Sequence, residues 1–259
     1  MSWDLQWGKP GDHTPIDVHE MDLPLANLGQ GLAGATLAVI SDLHYGRFAR
    51  DGYAARVVRE VMDRRPDVIC LLGDLINGQS SEAARCAKVL AGLSAPFGIF
   101  AVLGNHEYYG GWRAAARAYR DIGVELLLNE HRVLERGGAA MVLAGIDDHR
   151  RGRPDIAAAL AGADGSLPVV LLSHNPDEAE EIPAAARVDI MLSGHTHGGQ
   201  IVLFGHPAMT RIEHRQYWRG WMQGPRCRVY TSRGVGFVGL PIRLNARAEI
   251  PIFRLAQKT

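Results

Sequence analysis

Apolar residues in this chain fall into short runs separated by stretches of helical period. Thr36 to Ile40, Asp67 to Leu72 and Phe97 to Leu103 have strand length. Between and after them, Tyr53 to Arg64, Ser81 to Leu93 and Trp112 to Asp121 carry helical spacing. That alternation predicts a parallel or mixed sheet covered by helices. Val133 to Arg136 and Ala139 to Ile146 flank Gly137-Gly138 and read as a hairpin. A strand at Val169 to Leu172, a short helix at Asp177 to Ile182 and a strand at Val188 to Leu192 follow. Ile201 to Phe204, Cys227 to Thr231 and Glu249 to Phe253 complete the strand-like runs. Residues 1–30, with Pro10, Pro15 and Pro24, read as a lead-in strand plus loops. No repeat, low-complexity tract or linker interrupts the pattern, so the expectation is one α/β domain over residues 1–259, two sheets stacked inside helical layers.

Composition narrows the function classes. With 259 residues, 47% of them hydrophobic, the chain can bury a large core. Its formal net charge is zero, which argues against a nucleic-acid-binding face or a broad attraction to anionic membranes. Cys70, Cys86 and Cys227 are widely spaced and form no Cys-x-x-Cys, so neither a zinc knuckle nor a disulfide framework is expected. No apolar stretch approaches the ~18–20 residues that span a bilayer. The N-terminal residues include Asp4, Asp12 and Asp17 and lack an apolar core, so they do not read as a signal peptide, and a cytoplasmic location is expected. Gly29-x-Gly31-x-x-Gly34 and Gly234-x-Gly236-x-x-Gly239 match the dinucleotide fingerprint in letters only. Neither links a strand to a helix.

The chemistry concentrates just after the strands. Asp42 and His44 follow the first, Gly73-Asp74 the second, Gly104-Asn105-His106-Glu107 the third and Ser173-His174 a later one. Gly194-His195-Thr196-His197-Gly198-Gly199-Gln200 follows the strand ending near Leu192. In open α/β sheets, sites form at the carboxyl ends of strands. Five strand ends thus deliver two carboxylates, one amide and five imidazoles to one rim. In extended chain, residues two apart share a side, which would aim His195 and His197 at one volume. Taken singly, each Asp or Asn reads as a turn or cap residue and each His as a satisfied or solvated one. Convergent Asp/His sets are how proteins hold metals.

These motifs resemble the signature of calcineurin-like metallophosphoesterases, in order and spacing, across residues 36–200. The Gly194–Gln200 ending resembles a bacterial branch of phosphodiesterases that includes lipid-precursor pyrophosphatase-like members. Ser232-Arg233-Gly234, Pro241-Ile242-Arg243 and Glu249-Ile250 resemble that branch too. The resemblance implies a four-layer α/β/β/α sandwich. It implies that Asp42, His44, Asp74 and His197 hold one divalent ion, and that Asp74, Asn105, His174 and His195 hold a second, with Asp74 bridging. His106 would face the substrate as general acid, with Asn105 beside it. The implied reaction is hydrolysis of a phosphodiester or pyrophosphate-linked substrate by a metal-bridging hydroxide. A phosphomonoesterase or nucleotidase with the same machinery is the alternative, and a non-catalytic scaffold the rival from another class. A nitrogen and oxygen donor set without sulfur favours manganese, iron, zinc or cobalt over magnesium or calcium, with manganese first. Asn77 stands where purple acid phosphatases have a tyrosine.

The substrate expected is a small-molecule or lipid-precursor phosphoester. Members of the resembled branch often carry an N-terminal membrane or export segment, and peripheral membrane contact is one option here. The 205–228 stretch interleaves Tyr217, Trp218, Trp221 and Met222 with arginines. It reads either as a lid holding substrate through residues such as Trp218 and Arg219, or as a loop packing its aromatics on a sheet edge. Glu107 reads as loop support, and Asp147, Asp148 and His149 as a structural cluster beside the site.

Overall fold

A computed structural model describes residues 4–7, 14–208 and 210–258; Pro10, Asp12 and His13 lie outside the described residues. Two six-stranded sheets stack face to face. The first runs, in spatial order, Ile16–Leu25, Ala248–Gln257, Thr36–Ile40, Val68–Leu71, Ile99–Ala101 and Val124–Leu126. The second runs Gly220–Gln223, Arg228–Thr231, Ile190–Ser193, Val169–Leu172, Ala139–Gly145 and Glu130–Arg136. Both are mixed sheets whose central strands are parallel.

Burial on both faces explains why the strands read as continuous apolar runs instead of alternating ones. Leu37 and Val39 point into the space between the sheets, with Val170, Leu172, Ile190 and Leu192 opposite. Ala38 and Ile40 point outward, under the helices Asp51–Met62, Ser80–Leu90 and Trp112–Arg120. The helix Asp51–Met62 presents Tyr53, Ala54, Val57, Val58 and Val61 as one buried stripe. The outer face of the second sheet is covered by the short helix Ile156–Ala159 and by Ala179, Ile182 and Tyr217. The result is the expected α/β/β/α sandwich.

Register decides where the site lies. Ile40 pairs with Leu71 and Leu71 with Ala101; in the other sheet Gly145 pairs with Leu172 and Leu172 with Leu192. The parallel strands therefore end level with one another, and the loops that follow them share one rim.

The expected lead-in strand is ten residues long, Ile16–Leu25, and pairs along its whole length with Ala248–Gln257. Other local expectations needed correction. The run at 201–204 shrinks to a two-residue ladder, Val202–Leu203 with His206–Pro207. Part of the 205–228 stretch is a strand, Gly220–Gln223, antiparallel to Arg228–Thr231. Trp221 turns inward there, its ring 5.1 Å from Tyr230 and 5.8 Å from Phe253. Tyr217 is buried and its hydroxyl donates to Glu180 at 2.6 Å. Trp221 packs inward because an edge strand beside an apolar inter-sheet space buries more surface than a free loop would, while Tyr217 packs on the outer face of the same sheet.

Candidate metal centre

Three groups of Asp and His side chains converge on this rim, their nearest ligand atoms within 4.8 Å of one another: Asp42, His44 and His197; His44, Asp74 and His106; Asp74, His174 and His195. The first and third reproduce the expected sets except for Asn105, an amide, and for Asp74 in the first. His44 Nε2 lies 2.9 Å from His197 Nε2 and 3.7 Å from Asp74. His174 Nε2 lies 3.0 Å from His195 Nδ1 and 3.3 Å from Asp74. Asp74 therefore sits between the two halves. Asn105 is buried, lines the same cleft, and its Oδ1 has no hydrogen-bond partner among the described residues. A buried amide oxygen without a donor costs ~1–3 kcal/mol, and a cation in the cleft would satisfy it. The donor set fits divalent metal.

The side chains reach the cleft by a route that alternation along a strand does not describe. Asp42, His44, Asp74, His195 and His197 have φ of 53°, 46°, 50°, 71° and 53°. Left-handed backbone at non-glycine residues is costly, and it persists where surrounding contacts over-determine it. Here cross-sheet bonds do so. The Asp42 carboxylate accepts the His195 N–H at 3.0 Å and also the Ser41 hydroxyl. His174 Nδ1–H donates to the Leu72 carbonyl at 2.7 Å, which turns Nε2 into the cleft. His195 Nε2–H donates to the Arg211 carbonyl at 3.1 Å, which turns Nδ1 inward. His195 and His197 thus share a volume through a left-handed turn, not through extended chain. Asn105 and His106 likewise open a short helix, Asn105–Tyr109, so they diverge by a helical step and not as opposite faces of an extended turn.

Burial sets the charge states. It pulls His44 and His195 down to about 3 and His197 well below the usual imidazole range. These three are neutral, the form that ligates metal. Burial also pushes Asp42 up to about 6. For Asp74 and His174 burial works against charge, but their attraction and hydrogen bond outweigh it. The carboxylate is held well below, and the imidazole well above, the ordinary value. A cation entering between them must displace the His174 proton.

Residues less legible in the sequence brace this arrangement. Glu107 is fully buried and accepts backbone N–H groups from Asp74 and Gly104 at 2.9 Å and from Leu75 at 2.7 Å. It ties the Asp74 loop to the Asn105 loop. Those loops meet backbone to backbone: a Cβ on Gly104 would stand 2.6 Å from the Asp74 nitrogen. Arg243 is also fully buried. Its guanidinium donates to the carbonyls of Gly236, Arg233, Ala246 and His197, and reaches His197 Nδ1 at 3.3 Å. Its only sequence signal was the Pro241-Ile242-Arg243 tail. His106 lines the cleft, with Nδ1 2.9 Å from the Asn77 carbonyl.

Trp218 and Arg219 do not line this cleft. The Trp218 carbonyl accepts the Thr196 hydroxyl at 2.7 Å, bracing the His195–His197 turn, while its ring lines a separate hollow with Pro207 and Arg215. Arg219 stacks on Trp218 at 4.1 Å and lines another hollow with Asp17, His19 and Arg233.

The two stacked mixed sheets close carboxylates, imidazoles and an amide around one rim, a donor set able to hold divalent metal. The Calcineurin-like phosphoesterase family model matches residues 35–199, and the chain belongs to that family. A metallophosphoesterase of Bacillus subtilis, YkuE, is 31% identical over 248 residues, covering 93% of this chain and 85% of its own length. A zebrafish transmembrane protein with metallophosphoesterase domain is 30% identical over 258 residues, covering 94% of this chain. This chain spans 58% of that relative and 63% of a Helicobacter pylori one. Among solved structures, the Thermus thermophilus sulfate thiohydrolase SoxB superposes with a TM-score of 0.54 at 16% identity, covering 86% of this chain and 57% of its own. The Haemophilus influenzae NAD nucleotidase gives 0.53 at 13%, covering 77% and 45%. These likenesses show the fold. Among the described residues no helix is long and apolar enough to cross a membrane.

Proposed function

We propose that the chain acts as a single domain hydrolysing phosphodiester or pyrophosphate-linked substrates at a binuclear centre. Asp42, His44, Asp74 and His197 would hold one divalent ion, and Asp74, Asn105, His174 and His195 the other, with Asp74 shared. The observation that carries this is the set of three convergent clusters around Asp74, two of which contain it, with the unpartnered Asn105 oxygen in the same cleft. When bound, such ions supply positive charge for an anionic phosphoryl group and lower the pKa of water toward neutrality. Asp74 also accepts the His106 N–H at 2.8 Å, which sets the imidazole relative to the cluster. With Nδ1–H donating to Asn77, His106 turns Nε2 toward the cleft and carries the proton given to the leaving oxygen. Neutral imidazole and amide donors leave the centre more positive than an all-carboxylate set would, which suits an anionic diester.

The test is elemental analysis of purified protein, then hydrolysis of bis-p-nitrophenyl phosphate and p-nitrophenyl phosphate after manganese reconstitution. Bound transition metal, faster turnover of the diester and loss of activity on chelation are expected. Faster turnover of the monoester would replace the diester reading with a phosphomonoesterase. Protein that binds no metal and leaves both esters intact would end the proposal.

A further inference from the structure

We infer that the substrate of this centre carries a second phosphate on its leaving arm, and that Arg151, with Arg150, receives it. The inference rests on the reading above that His106 faces the leaving group. A hollow of about 380 Å³ is lined by Tyr109, His149, Arg150, Arg151, Asp177 and Glu213. Tyr109 links the two spaces. Its ring stands 5.1 Å from that of His106, which lines the cleft, and the Arg151 guanidinium, which lines the hollow, lies 5.0 Å from its centroid. Arg211 links them a second way. It lines the cleft, and its carbonyl accepts from His195 and from the Arg150 guanidinium. A leaving group protonated by His106 and running along Tyr109 therefore ends among these arginines.

The turn that presents them is built to stay in place. It follows the strand Ala139–Gly145, on the same rim as the metal-ligand candidates. Asp148 accepts the N–H groups of Arg150 and Arg151 at 3.0 and 2.7 Å, and Asp147 those of Asp148 and Arg153 at 2.8 and 2.9 Å. The guanidinium donors, by contrast, are left available. Among the described residues Arg151 stacks on Tyr109 and makes no side-chain hydrogen bond or ion pair, and Arg150 has only the Arg211 carbonyl. Among the described residues the nearby carboxylates make no ion pair with them. Both Asp177 oxygens accept backbone N–H groups, of Glu213 and His214, at 2.9 Å, and Glu178 is held by His149. Among the described residues Glu213, which shares the hollow, forms no ion pair with either arginine. A planar guanidinium with unspent donors matches a phosphate bidentately. On this reading the arm runs past Tyr109 and is longer than the single bridging oxygen of inorganic pyrophosphate.

Calorimetry on manganese-loaded protein tests this with adenosine 3′,5′-bisphosphate against adenosine 5′-monophosphate. Wild type should bind the bisphosphate about tenfold or more tightly, as one charge-assisted pair predicts. Arg151→Gln should remove most of that advantage while changing the monophosphate affinity less than about twofold, and Arg151→Lys should keep part of it. Equal affinity of wild type for both nucleotides, an advantage that survives Arg151→Gln, or equal loss on both would overturn the inference. Absence of diester hydrolysis by wild type would count against the proposed reaction instead, and the two affinities would still decide the subsite.

Discussion

Replacing Glu107 by glutamine isolates the brace behind the metal-ligand loops, because the side chain keeps its shape and exchanges one acceptor oxygen for an amide NH2. In the native protein Oε2 accepts the N–H groups of Asp74 and Gly104, and Oε1 accepts those of Leu75 and Ile76 and the Tyr119 hydroxyl. Whichever oxygen is exchanged, two or more buried donors lose their acceptor and meet another donor. At ~1–3 kcal/mol for each orphaned group, Glu107→Gln should cost about 2–6 kcal/mol, against a typical total of ~5–15 kcal/mol. Urea unfolding of metal-stripped wild type and variant measures the stability term. Elemental analysis after manganese reconstitution measures the functional one, which should fall because the brace joins the loops bearing Asp74 and Asn105. A variant that unfolds within ~0.5 kcal/mol of wild type and takes up full metal would refute this account, since losses that small are ordinary for surface substitutions.

Other substitutions probe separate links. His106→Gln should slow hydrolysis of alkyl phosphate esters by ~10²–10⁴-fold and affect p-nitrophenyl esters far less, because that leaving group needs no proton; steady-state rates on both decide, and equal losses argue against general-acid catalysis. Arg243→Met should lower both metal occupancy and urea midpoint, since carbonyls that now share a guanidinium, including that of His197, lose their donor. An Arg243→Met protein with wild-type manganese affinity would show that the buried charge does not position His197. Gly104→Ala should abolish tight metal binding by driving the Asp74 backbone away, readable by manganese titration. The hydrogen bond to Glu178 raises His149 above the usual imidazole value, so its stabilisation is fully present below ~6.5 and fades as pH rises through the raised value. The difference in urea midpoint between wild type and His149→Gln should therefore shrink from acid to alkaline pH; a constant difference would mean the pair contributes by packing alone.

The order of strands, the helices between them and the positions of Asp42, Asp74, Asn105, His174, His195 and His197 were legible in the chain itself. Apolar runs buried on both faces have to end where polar residues begin, and level parallel strands bring those ends to one rim. What alternation and spacing could not supply was the local conformation there. Five of the seven metal-ligand candidates take left-handed backbone that their residue types disfavour when free. Only bonds between distant segments, such as the Asp42 carboxylate on the His195 N–H, hold them in it. The same holds for Arg243, whose partners are backbone carbonyls with no identity in the sequence. It holds as well for the aromatics of the 205–228 stretch, read equally well as lid or core. Trp221 went inward because an edge strand formed beside the space between the two sheets, and Tyr217 because the outer face of the second sheet offered it an apolar surface; neither surface exists until distant strands have assembled.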